Sequence, residues 1–459
     1  MAKLKENAIS FFNSKLYPIF LAMIIFIGHT FSCELFSMSL LVLCLAASVV
    51  ICDDLRVAIA PVLMIAFSFS YKTFLSGWLG SVTFLIVVII SLLLIFGAVA
   101  AHMILYKKGH RIKDLPKSPL FWGFVALSGG LLLNGFFNFK AYAPINITFA
   151  LLLVFFFTII YFAFYIGIEE REDISEYVIF IFYVASVLLM AQMAVLLLRD
   201  ATFSEGGAMI KESLILGWGM WNNVGGMLTM LLPVHFYYAS TKKHGYIYYI
   251  SAIITYAVIA LTLSRSSLLF ATVISIISVV LICVRGENKK INKIITLSLL
   301  GIGVILAIPV VILLWDKISA FFGSYINQGF GSNGRLDLYK HGLKNFITHP
   351  IFGGGFDSCL EDNFGHGIDP NRYHNTIIEL LATCGVVGFG AYCYHRYQTI
   401  KLFIKKKSDL SCIFLGICAL ALLLTSLLDN HIFNLYPTMY YSIILVALGK
   451  LPTKENELS

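Results

Sequence analysis

Uncharged apolar runs close to twenty residues long recur from one end of this chain to the other, and they limit what it can fold into. A hydrocarbon core about 30 Å thick takes roughly 20 apolar residues to cross as a helix. Hydrophobic residues make up 59% of the 459 and charged residues 13%, whereas a soluble domain carries about a quarter charged residues. Phe84 to Gly97 is apolar at nearly every position, without the period-two alternation of a membrane barrel. The expected class is therefore all-α, a polytopic transmembrane helical bundle. Candidate spans fall near 17–30, 36–51, 57–71, 81–105, 119–137, 145–168, 177–198, 223–240, 246–263, 266–284, 294–314, 374–395, 411–428 and 433–449. The first three are short and weakly separated, so the expected count is about 12–14.

Lysine and arginine orient the spans. With the N-terminus cytoplasmic, alternate loops collect most of the 33 basic residues, among them Lys107, Lys108, Arg111, Lys113 and Lys117, then Arg285, Lys289, Lys290 and Lys293, then Lys405 to Lys407. Both termini are expected in the cytoplasm of a bacterial inner or plasma membrane. One acidic loop, Glu169 to Glu176, falls on the same side with Arg171 opposing it, and acidic residues carry little topological weight. The net charge of +8 reflects these topogenic lysines, and no nucleic-acid partner is implied. The nine cysteines include no CxxC pair or Cys/His cluster, so neither a disulfide framework nor a zinc site is expected. The basic N-terminus runs into an apolar segment without a small-residue cleavage site, which is expected to be an anchor.

That frame leaves two large extracytoplasmic loops, 199–222 and 315–373, within one membrane domain over 1–459. The longer loop holds an amphipathic stretch in which Leu336, Tyr339, Leu343 and Phe346 recur at helical spacing, with Lys340, His341 and Lys344 on its wet side. His349-Pro350 marks its end, and Gly353 to Gly355 follow as a turn that lets a lid bend. Arg372-Tyr373-His374-Asn375 then leads into an apolar helix, with Asn375 as its cap and His374 at its positive end.

Here the chain resembles the O-antigen ligase and polymerase family. The resemblance is carried by His374-Asn-Thr-Ile-Ile-Glu-Leu-Leu-Ala-Thr-Cys-Gly-Val-Val-Gly388 and the preceding Pro350-Ile-Phe-Gly-Gly-Gly355. Leu261-Thr-Leu-Ser-Arg-Ser-Ser-Leu268 and Asn222-Asn-Val-Gly-Gly226 are similar to further family elements. Arg335 and Asp429 stand where the family carries an arginine and an acidic residue. The likeness spans about 215–435. It implies a GT-C-like bundle with the active site on the extracytoplasmic face. It also implies a glycan donor on polyprenyl pyrophosphate, with a chain-length regulator and a flippase as partners.

A pyrophosphate is already a good leaving group, so such an enzyme chiefly has to neutralise the charge that builds on it. Arginine suits that task, because its planar fork binds phosphate bidentately and stays charged. No extracytoplasmic acidic pair has metal-binding spacing, and the expected transfer is metal-independent, with inversion and no cofactor. Candidate catalytic residues are His374, Arg265 and Arg335; candidate binding residues are Arg265, Arg335, Arg372, Asn223 and Asp429. Each has a plainer reading. Arg265 also fits a snorkelling helix-end arginine, His374 a surface histidine, Arg335 a solvated one, Asp429 a helix-terminal turn, and Asn222 and Asn223 helix caps. Trp218 and Trp221 fit interfacial anchors or sugar-stacking groups.

The leading expectation is a polymerase of lipid-linked repeat units for a capsule, exopolysaccharide or O-antigen. The alternative is a ligase that moves the glycan to a lipid core or protein. A flippase or other transporter is the rival from another class; it would show internal repeats and charges buried mid-span, and the spans read as almost free of charge.

Overall fold

The computed structural model describes residues 2–69, 82–138, 144–200, 214–285, 294, 298, 335–356, 358 and 373–452. Among them are helices and no strand. In chain order these are α1 (Ala2–Asn13), α2 (Leu16–Thr30), α3 (Glu34–Ile51), α4 (Ile59–Met64) and α5 (Val82–Leu105). Then come α6 (Phe121–Leu132), α7 (Pro144–Val154), α8 (Ile160–Gly167), α9 (Ile174–Asp200), α10 (Trp221–Thr241), α11 (Gly245–Leu261) and α12 (Arg265–Arg285). The last four are α13 (Arg335–Thr348), α14 (Thr376–Lys405), α15 (Leu410–Asp429) and α16 (Leu435–Lys450). A π-helical turn, Phe155–Ile159, joins α7 to α8.

Helix underlies every expected span within the described residues except 294–314, of which only residues 294 and 298 are described. Among the described residues, seven helices are long and apolar enough to cross a membrane alone, or eight if the pair Lys3–Asn13 and Leu16–Thr30, bent by 75°, is one span. The other expected spans are shorter or more polar, and for two of them the surroundings explain why. Helix α10 packs against α11, α12 and α15 and is buried from Val224 to Ser240; α16 is buried from Pro437 to Leu448. Protein surrounds both, so they hold polar groups that lipid would reject. His235 of α10, for example, meets Ser186 Oγ at 2.8 Å and Thr255 Oγ1 at 3.3 Å. Helix α5 is the opposite case, with Ile86, Ile89, Leu93 and Phe96 all exposed.

Two expectations change here. The spans are not almost free of charge: α14 runs on to Lys405 and carries Arg396 inside it. That guanidinium lies between the rings of Tyr392 and Tyr441, at 4.4 and 4.5 Å from their centroids. Cation–π contact replaces part of the hydration it loses there. The acidic loop also has more opposition than Arg171. Glu169 meets Lys108 at 2.9 Å and Arg111 at 3.0 Å, and Asp173 meets Arg56 at 3.0 Å and Arg171 at 2.8 Å. Arg171 N–H also donates to the Lys450 carbonyl at 3.1 Å, which puts these pairs at the far end of α16 from Leu435.

Candidate functional site

Glycine builds the support of the site. Helix α14 breaks at Gly385, whose φ is +64, and a break strands carbonyls on one side and N–H groups on the other. The Pro350–Gly355 turn takes both sets. Gly354 and Gly355 N–H donate to the Ala382 and Thr383 carbonyls at 2.8 and 3.1 Å, while Val386 and Val387 N–H donate to the Pro350 and Ile351 carbonyls at 2.9 and 3.1 Å. A Cβ on Gly353 (φ +70) would strike the Thr383–Cys384 backbone, and one on Gly385 would strike Ile351. Close backbone approach, not the bending of a lid, is what these glycines supply, and Gly353 to Gly355 are buried.

Helix α13 leads into that turn and packs on α14. Its packed side is Gly342 against Ile378 and Tyr373, helped by Leu338 and by Asn345, which donates to the Ala382 carbonyl at 3.0 Å. Of the expected apolar face, Leu336 and Leu343 are exposed, while Tyr339 meets the His374 carbonyl. His341 is not on a wet face either, since it stacks on Tyr373 at 5.9 Å and bonds the Ser358 carbonyl at 3.1 Å.

The start of α14 is fastened to the end of α15. Asn375 Oδ1 accepts from the Ile377 and Ile378 N–H groups at 2.9 and 3.1 Å, so it is the N-cap. Its Nδ2 donates to the Leu427 carbonyl at 2.9 Å, and Thr376 Oγ1 donates to that of Ser426 at 2.8 Å. Both carbonyls lie in the last turn of α15, where the helical hydrogen-bond ladder runs out; that of Ser426 also accepts from the Asn430 N–H at 3.2 Å. The fastening brings His374 beside Asp429.

His374 Nδ1 lies 2.8 Å from Asp429 Oδ1. The histidine backbone has φ +50, a left-handed conformation that costs an L-residue about 1–2 kcal/mol. Its side chain is 38% exposed, while that of Asp429 is 5% exposed. A strained, half-open histidine held on a buried carboxylate differs from an ordinary surface histidine. Arg335, the first residue of α13, places its guanidinium 3.8 Å from Asp429 Oδ1. An arginine at a helix N-terminus opposes the helix dipole, so it adds to the positive potential on this rim. Burial pushes the Tyr339 phenol above its ordinary value, despite the pull of Arg335, and its O–H donates to the His374 carbonyl at 3.4 Å.

Buried His431 stands on the other side of Asp429, with Nε2 3.9 Å from Oδ2, and its ring rests against Gly226 of α10. A Cβ there would come within 2.5 Å of Nε2. Neighbouring Gly225 makes room for Thr262 and Ser267, the residues flanking Arg265 in the tight turn from α11 to α12. Arg265 is exposed, at the start of α12, two residues before Ser267.

Asn223 is not a cap: α10 starts at Trp221 without a side-chain cap. Instead Asn223 Oδ1 accepts from Asn434 Nδ2 at 3.0 Å, and Asn434 adjoins His431 Nδ1 at 3.5 Å. Trp218 turns away, packing edgewise on Phe67 and Tyr436. Arg372 lies outside the described residues. Sequence reasoning did not single out Glu379, Gly226 or a role for His431. The signal for Glu379 was present, a glutamate four residues after a cap asparagine, where it can reach back over the helix start.

Among the described residues, no group of three or more His, Cys, Asp or Glu could hold a metal ion. Residues 250–393 match the O-antigen ligase family (Wzy_C); that segment contains Arg265, Arg335 and His374, and ends before Asp429. No curated protein matches the sequence.

Proposed function

We propose, from the match of residues 250–393 to the O-antigen ligase family, that this chain is an inverting, metal-independent membrane glycosyltransferase. In this reading it polymerises polyprenyl-pyrophosphate-linked oligosaccharide repeat units on the extracytoplasmic face, for a capsule, exopolysaccharide or O-antigen. The observation that carries the reading is the 2.8 Å contact between half-exposed His374 and buried Asp429, with Arg335 at 3.8 Å.

The chemistry follows from that contact. With Nδ1–H of His374 donating to Asp429, Nε2 keeps its lone pair for a substrate proton. An acceptor hydroxyl attacks the anomeric carbon opposite the pyrophosphate. The new C–O bond forms as the bond to the pyrophosphate oxygen breaks, and the hydroxyl proton passes to Nε2. Arg265 and Arg335 offset the negative charge gathering on the leaving group. Asp429 stabilises the imidazolium and fixes its orientation. Asn223 holds the rim through Asn434, and Arg372, two residues before His374, is proposed to contact the donor phosphates.

Reconstitution tests this. Protein in liposomes receives lipid-linked repeat units with EDTA present, beside Arg265→Ala and His374→Ala variants. A glycan ladder from the wild type alone supports the polymerase. Transfer only after a lipid-core or protein acceptor is added makes it a ligase. Donor crossing the bilayer without any transfer sinks the enzyme reading and leaves a transporter.

A further inference from the structure

Glu379 is buried, 3% exposed, one turn into α14. One of its oxygens, Oε2, accepts two hydrogen bonds, from the Tyr373 backbone N–H at 2.8 Å and from Asn430 Nδ2 at 2.8 Å. Tyr373 immediately precedes His374, and Asn430 immediately follows Asp429. Each donor is thus adjacent in the chain to one member of the His374–Asp429 pair, and the two chain segments approach each other from different helices.

Both flanking backbones need holding. His374 has φ +50 and Asn430 φ +52, and left-handed residues of this kind persist where surrounding bonds over-determine them. Asn430 ends α15, with its N–H on the Ser426 carbonyl at 3.2 Å. Tyr373 is wholly buried, its hydroxyl 3.2 Å from Ser358 Oγ. Glu379 joins these two anchored points through a single atom.

We infer that Glu379 is a positioning residue: its Oε2 sets the distance between His374 and Asp429 and so maintains the proton acceptor in its working orientation. It does not itself touch substrate. The inference rests on the transfer reading for its kinetic consequence, while its geometric content is independent of turnover.

Because both bonds fall on one oxygen, glutamine can retain them with its amide oxygen, whereas alanine loses both. Asn430→Gly keeps the left-handed backbone and deletes only the side-chain bond. The experiment compares wild type, E379Q, E379A, N430G and the E379A/N430G double variant for kcat, KM and melting temperature in detergent. In parallel, diethyl pyrocarbonate labelling of His374 is followed by mass spectrometry.

Misplacement of a reacting group by about 1 Å costs on the order of 100-fold, so E379A should lose kcat roughly 10- to 100-fold with KM within about threefold. N430G should lose roughly three- to tenfold, the double variant should match E379A, and E379Q should stay within about threefold of wild type. His374 should label faster in E379A and N430G and at the wild-type rate in E379Q. Three results would overturn the inference: E379Q falling as far as E379A, additive losses in the double variant, or unchanged His374 labelling in N430G. If E379A does not fold, N430G and E379Q decide by the same criteria. A wild type inactive with every acceptor would overturn the transfer reading, and the labelling rates would still decide the role of Glu379.

Discussion

Asp429 Oδ1 lies 2.8 Å from His374 Nδ1, and the two residues come from opposite termini of adjacent helices. The imidazole is half open to the rim, while the carboxylate is enclosed. That asymmetry lets one group exchange a proton with a substrate and keeps the other from solvent.

Asp429→Asn should leave the protein folded, since the amide has nearly the same shape. It should lower kcat about 100-fold or more, because the charge that stabilises a protonated His374 is gone. Single-turnover transfer with saturating donor is the measurement; activity within threefold of wild type would remove Asp429 from the mechanism.

Gly226→Ala introduces one methyl group against the His431 ring. His431 cannot retreat easily from it, being itself fully buried. The displacement should reach Asp429 and reduce kcat by roughly tenfold, with a stability cost of about 1–3 kcal/mol for overpacking. Apparent melting temperature and kcat on the same sample test both.

At the opposite end of the bundle, the Lys108 hydrogen bond, with help from Arg111, holds the Glu169 carboxyl below its ordinary range. A depressed acid contributes stability that is complete above its unfolded pKa and lost as pH falls through the folded value. Melting temperature should therefore decline on acidification into the carboxylate range, and Glu169→Gln should flatten part of that decline. Glu169 is half exposed, so its own term is at most about 1 kcal/mol. The neutral-pH cost of E169Q comes chiefly from Lys108, whose buried ammonium loses its carboxylate.

The bundle was legible because lipid imposes one rule on every span, and apolar runs expose it. His374 and Asn375 stood out because they are polar groups next to such a run, and Arg335 through the resemblance to the family. The rest depended on contacts distant in sequence. Nothing local shows that the glycines at 353–355 dock into a break at Gly385, or that Asn223 faces Asn434 and not its own helix start. Nor does a run of residues show which helix is walled off from lipid, so α10 and α16 look like ordinary spans and Arg396 looks like a loop charge. The apolar spacing in α13 predicted the helix correctly but left open which side meets α14, and that side is set by the close approach at Gly342.

The crossed bonds between Pro350–Gly355 and the Gly385 break make α13 a strut of fixed length. One end presents Arg335 to Asp429, and the other is keyed into the spine of the helix that begins beside His374. Adding or deleting one residue between Arg335 and Gly355 would turn the strut by about 100° per residue and swing Arg335 off the rim. Length variation that surface loops ordinarily tolerate should therefore be forbidden across this stretch.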